Sequence, residues 1–304
     1  MDLREQAYIL AISKYGSIKQ AAEELHISPP TLSVFLSTLE NNIGVKLFDR
    51  LGKRFIPTEA GRLYISTAQN MMNLRNSYEA QLSDLKNGVT GTISFGIQPR
   101  RTLFLLASAL KEFTAQYPNV QVNTCEETTD TTVPMLLRGE LDFIITHRVM
   151  NDPVLAYTPF YQDHLVLVMA ADHPMADRGR FLHGRSTPWI DLSLFKDDRM
   201  ILQQPDQSSR ACTDKALRFA QVKPKQAFLV ANLESASQLA AEGLAIAFNF
   251  ESYIRTFSYV RPVRYFYVGD PEETINYYIV CRKDKYMANY THTFIELLKK
   301  YIRF

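Results

Sequence analysis

The stretch from Ser17 to Gly61, SIKQAAEELHISPPTLSVFLSTLENNIGVKLFDRLGKRFIPTEAG, decides the architecture of the chain. Ser17 with Gln20 three residues on makes a capping box, so a helix is expected from Ile18. Ala21, Ala22 and Leu25 give that helix a small apolar face. His26 and Ile27 form a tight turn. Ser28 then caps a second helix, with Pro29 at its first position, where a missing N–H costs nothing. Leu32, Phe35, Leu36 and Leu39 recur at helical spacing and are expected to face inward. The other face carries Pro30, Ser33, Val34, Ser37 and Asn41, which are small or polar and include no acid. Two short helices joined by a tight turn, the second with such a face, have the form of a helix-turn-helix entering a DNA major groove.

Downstream, Val45 to Phe48 is apolar, Asp49 to Arg54 reads as a turn with three cations, and Phe55-Ile56-Pro57 is extended. That pattern is a β-hairpin wing whose tip offers Arg50, Lys53 and Arg54 to phosphate oxygens. From Ile27 to Arg62 there are five Lys/Arg (46, 50, 53, 54, 62) against three acids (40, 49, 59), a net of +2 gathered on the wing. A small helical bundle with a solvated turn is the other reading of any one piece. Helix, helix, wing and cations in this order favour DNA binding, with Ser28, Pro30, Thr31, Ser33, Val34, Ser37, Arg50, Lys53 and Arg54 as the candidate contacts.

The runs AAEELHISPPTLS, LENNIGVKLFDR and TEAG resemble, without a gap, the DNA-binding domain of LysR-type transcriptional regulators. Members of that family often carry Arg directly after the residue that matches Ser33, and basic residues near positions 37 and 38. Val34, Phe35, Ser37 and Thr38 stand there instead. Affinity is therefore expected to lean on the wing, on hydroxyls and on apolar contact with thymine methyls.

Leu3 to Tyr15 is expected to be a first helix ended by Gly16. Thr58 caps a long helix, with Glu59 in its first turn. Its stripe of Tyr64, Met71, Leu74, Tyr78 and Leu82 recurs every three or four residues until Asn87-Gly88. Thirty residues make about 45 Å of helix, too long for one apolar stripe to be stable alone. The stripe packs either on its own chain or on a second subunit. The resemblance implies the second, with Met71, Leu74, Tyr78 and Leu82 as the dimer contact.

After Thr90-Gly91 the pattern changes to alternating strands and helices, the grammar of doubly wound α/β units. Leu165 to Ala171 is a continuous apolar strand, expected where both faces are covered. The phrases YPNV, LLRGELDFII and HLVLVMAADHP resemble the effector domain of the same family, which is built like periplasmic solute-binding proteins. The fold class is therefore α/β: an N-terminal winged helix-turn-helix (residues 1–58), a linker and dimerisation helix (59–90) and a periplasmic-binding-protein-like effector domain (91–304). Subdomain I would comprise 91–161 and 268–304, and subdomain II 162–267.

In open α/β folds ligands sit beyond strand ends, at helix N-termini. The stretches that meet this description supply Gln98, Pro99, Arg100, Arg101, Thr102, Thr128, Thr129, Thr146, His147, Gln203, Phe248 and Asn249 as candidate effector contacts. Hydroxyls, amides and arginines there suit a small anion such as a carboxylate, although capping and solvation explain any one of these loops by itself.

The 304 residues allow two or three compact units, and 46% hydrophobic with 22% charged residues is ordinary for a globular protein. A net charge of +2 decides nothing by itself. Cys125, Cys212 and Cys281 are far apart, with neither a disulfide framework nor a metal pattern, and imply a reducing compartment. No signal peptide or membrane span is expected, so the chain reads as cytoplasmic. No nucleophile elbow, phosphate loop or metal-spaced cluster is present, so neither an enzyme nor a bound cofactor is expected. The expected partners are double-stranded DNA, a small-molecule effector, a second copy in a homodimer or homotetramer and, for an activator, RNA polymerase. The rival class is a cytoplasmic solute-binding or catalytic protein of the same α/β fold. Neither version of it needs a winged head.

Overall fold

The computed structural model describes residues 2–302 except 53, 86–88, 100, 206 and 255–256. The head is built from α1 (Leu3–Tyr15), α2 (Ile18–Glu24), α3 (Pro29–Ile43), β1 (Phe48–Leu51) and β2 (Arg54–Pro57). Asp2 caps α1 in a full capping box with Glu5. Ser17 and Ser28 cap α2 and α3 by accepting from the N–H groups of Gln20 and Thr31. Ile9, Ile12, Ala21, Ala22, Leu32, Leu36, Leu47 and Phe48 form one buried cluster. Each larger side chain there contributes about 2 kcal/mol by leaving water.

The wing differs from its sequence reading. Its strands pair from Phe48 opposite Pro57 to Leu51 opposite Arg54. Four of the six residues in the supposed turn are thus ladder: Asp49, Arg50, Leu51 and Arg54. Next comes α4 (Glu59–Asp84), capped by the Thr58 hydroxyl, which accepts from the Gly61 N–H at 2.9 Å. A Cβ on Gly61 would collide with the Leu47 carbonyl oxygen, so only glycine lets the wing and α4 approach this closely. The expected stop at Asn87-Gly88 lies outside the described residues.

The remaining elements are β3 (Gly91–Ile97), α5 (Thr102–Gln116), β4 (Val120–Glu126), α6 (Thr129–Arg138), β5 (Phe143–Thr146), β6 (Leu155–Asp163), β7 (Leu165–Ala170), β8 (Met200–Gln203), α7 (Ser208–Phe219), β9 (Ala227–Val230), α8 (Leu233–Ala241), β10 (Ile246–Phe250), α9 (Glu251–Ile254), β11 (Val263–Tyr267), β12 (Ile275–Arg282) and α10 (Asn289–Tyr301). They form two five-stranded sheets, ordered β11-β7-β10-β8-β9 and β4-β3-β5-β12-β6. In the first, β8 runs parallel to β9 and β10, whereas β7 runs antiparallel to β10 and β11. The sheet is therefore mixed rather than all parallel. As expected, every residue of β7 is buried.

Two strands escape the sequence reading. β6 carries Pro159 at its centre, which argues against a strand except at a sheet edge, and an edge is where β6 lies. β11 (VRYFY) alternates for three residues only before two buried aromatics break the pattern. Contacts gather the chain into two compact units. The first holds Met1–Gly96, Thr114–Ile144 and Cys281–Thr293; the second holds Ile97–Phe113, Ile145–Val280 and Phe294–Phe304. Among the described residues no helix is long and apolar enough to cross a membrane.

His26, in the turn between α2 and α3, has φ +54°, a left-handed conformation that costs a non-glycine residue about 1 kcal/mol. His26→Gly is expected to raise stability by about that amount, measured as an increased urea midpoint at unchanged slope. A lower midpoint would mean that the histidine ring makes a compensating contact.

Candidate functional site

Along α3, the side chains of Pro30, Thr31, Ser33, Val34 and Ser37 are all exposed, while Leu32 and Leu36 are buried. Phe35 and Leu39 are half-buried against the head's core, Phe35 edge-on to Tyr8 at 5.1 Å. Val34 is 66% exposed, with nothing in its own fold to cover it. The Ser28 hydroxyl also bonds the Thr31 hydroxyl at 2.7 Å, so it is committed to the cap before any ligand arrives. On the wing, Arg50 and Arg54 are exposed, and Arg50 Nε donates to the Gly52 carbonyl at 3.2 Å. Lys53 lies outside the described residues.

Sequence reasoning missed the residue that sets the wing. Glu40, near the end of α3, is 6% exposed. One of its oxygens accepts from the N–H groups of Leu47 (2.8 Å) and Phe48 (3.2 Å), and the other pairs with Lys46 at 2.7 Å. A carboxylate that receives two backbone N–H bonds fixes where β1 departs from α3. It also withdraws an acid from the surface beside the recognition face. The available signal was an acid placed next to inward-facing Leu39 in an otherwise acid-free helix.

The effector candidates divide between the units. Thr128 and Thr129 open α6 in the first unit, Thr128 exposed and Thr129 buried. The others belong to the second unit. Arg100 is outside the described residues, Pro99 is exposed, and Gln98 and Thr102 are half-buried. Four candidates are taken up by the fold itself. Gln203 donates to the Phe248 carbonyl at 2.9 Å and accepts from Thr213, Phe248 is core, and Asn249 donates to Ser237 at 2.8 Å. The fourth, Arg101, was expected to face an anion but is 1% exposed.

The Arg101 guanidinium lies 3.6 Å from the Asp163 carboxylate, donates to the hydroxyls of Tyr161 and Tyr277, and stands 4.0 Å from the centre of the Tyr277 ring. Tyr253 and Phe250 lie at 5.0 and 5.5 Å. Tyr161 stacks flat on Tyr277 with centroids 4.5 Å apart. Asp163 accepts in addition from the Ser252 hydroxyl (2.6 Å) and N–H (3.2 Å). A buried charge needs this complement, and removing one partner of such a pair costs about 3–5 kcal/mol. Arg101 is therefore a positioning residue rather than a free anion receptor.

Thr146 is buried and accepts from the Arg148 N–H at 3.1 Å. The adjacent His147 packs edge-on to Tyr277 at 5.1 Å, and its buried Nδ1 has no hydrogen-bond partner among the described residues. Burial, helped by the Arg101 charge, pulls its pKa down to about 4, so the ring is neutral at pH 7. Burial pushes the thiols of Cys125, Cys212 and Cys281 up, Cys212 to about 11, which disfavours the reactive thiolate.

In the unfolded chain a histidine titrates near pH 6.5, so between about 6.5 and 4 the unfolded state binds the extra proton. The stability that neutral His147 preserves is intact above 6.5 and drains as pH falls towards 4. Between pH 7 and 4.5 the parent chain is expected to lose about 2 kcal/mol more than His147→Asn, read from urea denaturation at both pH values. Equal losses would remove His147 from the pH response.

Two family profiles match the chain: "Bacterial regulatory helix-turn-helix protein, lysR family" over residues 3–62 and "LysR substrate binding domain" over 86–303. The HTH-type transcriptional regulator YtlI of Bacillus subtilis is 33% identical over 182 residues, which span 59% of this chain and 58% of YtlI. The Escherichia coli DNA-binding transcriptional dual regulator OxyR is 24% identical over 249 residues, spanning 81% of this chain and 78% of that one. Among solved structures, a full-length OxyR variant from Pseudomonas aeruginosa superposes with a TM-score of 0.75 at 22% identity, covering 99% of this chain and 94% of that one. CbnR in complex with its target DNA gives 0.63 at 18%, covering 99% and 100%. At these identities the structural likeness speaks for the fold alone.

Proposed function

Because the chain belongs to the LysR family of bacterial transcriptional regulators, we propose that it is a cytoplasmic, non-enzymatic regulator that binds double-stranded DNA through α3 and the wing and responds to a small-molecule effector. The observation that carries this reading is the outer face of α3. Its side chains are exposed, small or hydroxylated, and free of acid, and the exposed arginines of the wing, Arg50 and Arg54, follow it in the chain. Ser33, Val34 and Ser37 would meet base edges, Pro30 and Thr31 the groove wall, and Arg50, Lys53 and Arg54 phosphates. The domain boundaries proposed are 1–58, 59–90 and 91–304.

For the effector, the proposed contacts in the second unit are Gln98, whose amide already donates to Ser208 and accepts from Arg101, and Thr102 at the opening of α5; in the first unit Thr128 opens α6. Arg101 is balanced by Asp163, and His147 is neutral. Gel shift and footprinting on the DNA upstream of the coding region, with and without a metabolite pool, test the whole reading. Substrate turnover without DNA binding would favour the solute-binding or catalytic alternative.

Wing cations would carry much of the affinity. Arg54→Ala is expected to weaken binding to all sequences alike and to lower the slope of log affinity against log salt by about one. Fluorescence anisotropy across a salt series reads this, and a sequence-selective loss at unchanged slope would contradict it.

The α4 helix would pair with its counterpart in a second copy, in a homodimer or homotetramer. Leu74 and Tyr78 are 73% and 63% exposed, an unusual outlay of apolar surface on one stripe that Met71 and Leu82 continue half-buried. Leu74→Asp places a charge in that seam and is expected to yield monomers in sedimentation velocity. A variant that remains fully dimeric at nanomolar concentration would remove Leu74 from the contact.

A further inference from the structure

A cavity of about 530 Å³ lies within the first unit. One wall is the inner face of α4; the others are the start of β3, the segment 139–142 and the segment 285–291. Its volume falls in the range of small-molecule sites, but such sites are mostly apolar and this one is polar.

The walls are held by bonds at both ends. Asn73 on α4 donates to the Arg138 carbonyl at 3.2 Å. Eleven residues further along the helix, Asp84 accepts from the Tyr286 hydroxyl at 2.7 Å and from the Asn289 N–H at 3.1 Å. Between these ties Ser83 donates to the Thr90 carbonyl at 2.8 Å. A Cβ on Gly139 would overlap the Asn73 amide, so the backbone is pressed against α4 there. The cavity is thus built into the fold rather than left by loose packing.

The charges in its walls are balanced one by one. Glu79 pairs with Arg75 at 2.7 Å, Glu140 with Arg138 at 2.7 Å, and Asp142 with Lys285 while it also accepts from the Ser94 N–H. An anion would face three carboxylates and a cation would find each already neutralised. What remains is a dense set of hydrogen-bonding groups: paired carboxylates with spare lone pairs, the Asn76 amide and hydroxyls, beside the ring of Tyr286. Groups with both donor and acceptor capacity and no charge satisfy such walls without leaving an ion unpaired. Water held there is displaced at little cost when a ligand reproduces its hydrogen bonds.

We propose that this cavity is a binding site for a neutral polyhydroxylated molecule of monosaccharide size. The site is separate from the effector contacts discussed above and does not depend on them. Its occupant would brace α4 against the rest of the first unit.

The test is calorimetric titration of the full chain with myo-inositol, D-ribose and D-glucose, and with putrescine and succinate as charged probes. At least one neutral polyol is expected to bind at one site per chain. Ala80→Trp, which fills the cavity from α4, should weaken that binding at least tenfold. Asn76→Leu, at an exposed position that the fold does not need, should weaken it severalfold and guards against misfolding of the first variant. The proposal is overturned if none of the three polyols binds, if both variants bind as the parent does, or if a charged probe is the one whose binding the variants abolish.

Discussion

A guanidinium cannot leave water alone, and the second unit is arranged around that constraint. Arg101, 1% exposed, meets Asp163 at 3.6 Å, two tyrosine hydroxyls and three aromatic rings. Those partners come from β6, β12, β10 and α9, so one charge ties together elements distant in sequence. Asp163 in turn holds the N–H and hydroxyl of Ser252 at the start of α9. The charge also depresses the neighbouring His147, which stays neutral for that reason as well as for its burial. In a low-dielectric site each of these bonds is stronger than in water, and each lost member leaves a larger penalty behind.

Glu40 plays the corresponding part in the head. A buried carboxylate receives two backbone N–H bonds from the start of the wing and a lysine from the loop before it. The angle between recognition helix and wing is therefore set by hydrogen bonds rather than by apolar contact alone. Burial has an electrostatic consequence too. The acid nearest the far end of α3 is spent inside the protein, so the exposed face of α3 carries no acid and would offer a duplex no repulsive group.

Much of the head was legible because its signals are local. Ser28 before Pro29 and Thr58 before Glu59 each fix a boundary by a bond within one turn, the leucines at 32, 36 and 39 mark the inward face, and the helices begin where the caps say. What escaped depends on partners distant in the chain. Nothing near Arg101 in sequence announces Asp163, sixty-two positions away, so two adjacent arginines at a helix start read as an anion site. Gln203 and Asn249 misled for the same reason: polar residues at strand ends look like ligands until their bonds to Phe248 and Ser237 are seen. β6 was hidden by a proline that only its edge position makes tolerable.

The chemistry of α3 limits how this protein can tell one DNA sequence from another. Without arginine or lysine on the outer face, the bidentate contact that most often selects guanine is missing from the helix. Val34 stands in its place with two-thirds of its surface in water. In a major groove the methyl of thymine is the base group that rewards covering such a side chain. Ser33 and Ser37 flank it with hydroxyls that accept or donate and so discriminate weakly. Phosphate contacts from the wing, as proposed, would add affinity that is indifferent to sequence. Selectivity would then come from a few thymine positions per half-site, multiplied by the number of heads placed on one duplex. A recognition helix this weakly discriminating needs a second copy at a fixed spacing more than an arginine-bearing one does. The exposed stripe of Leu74 and Tyr78 on α4 is the apolar surface available to provide it.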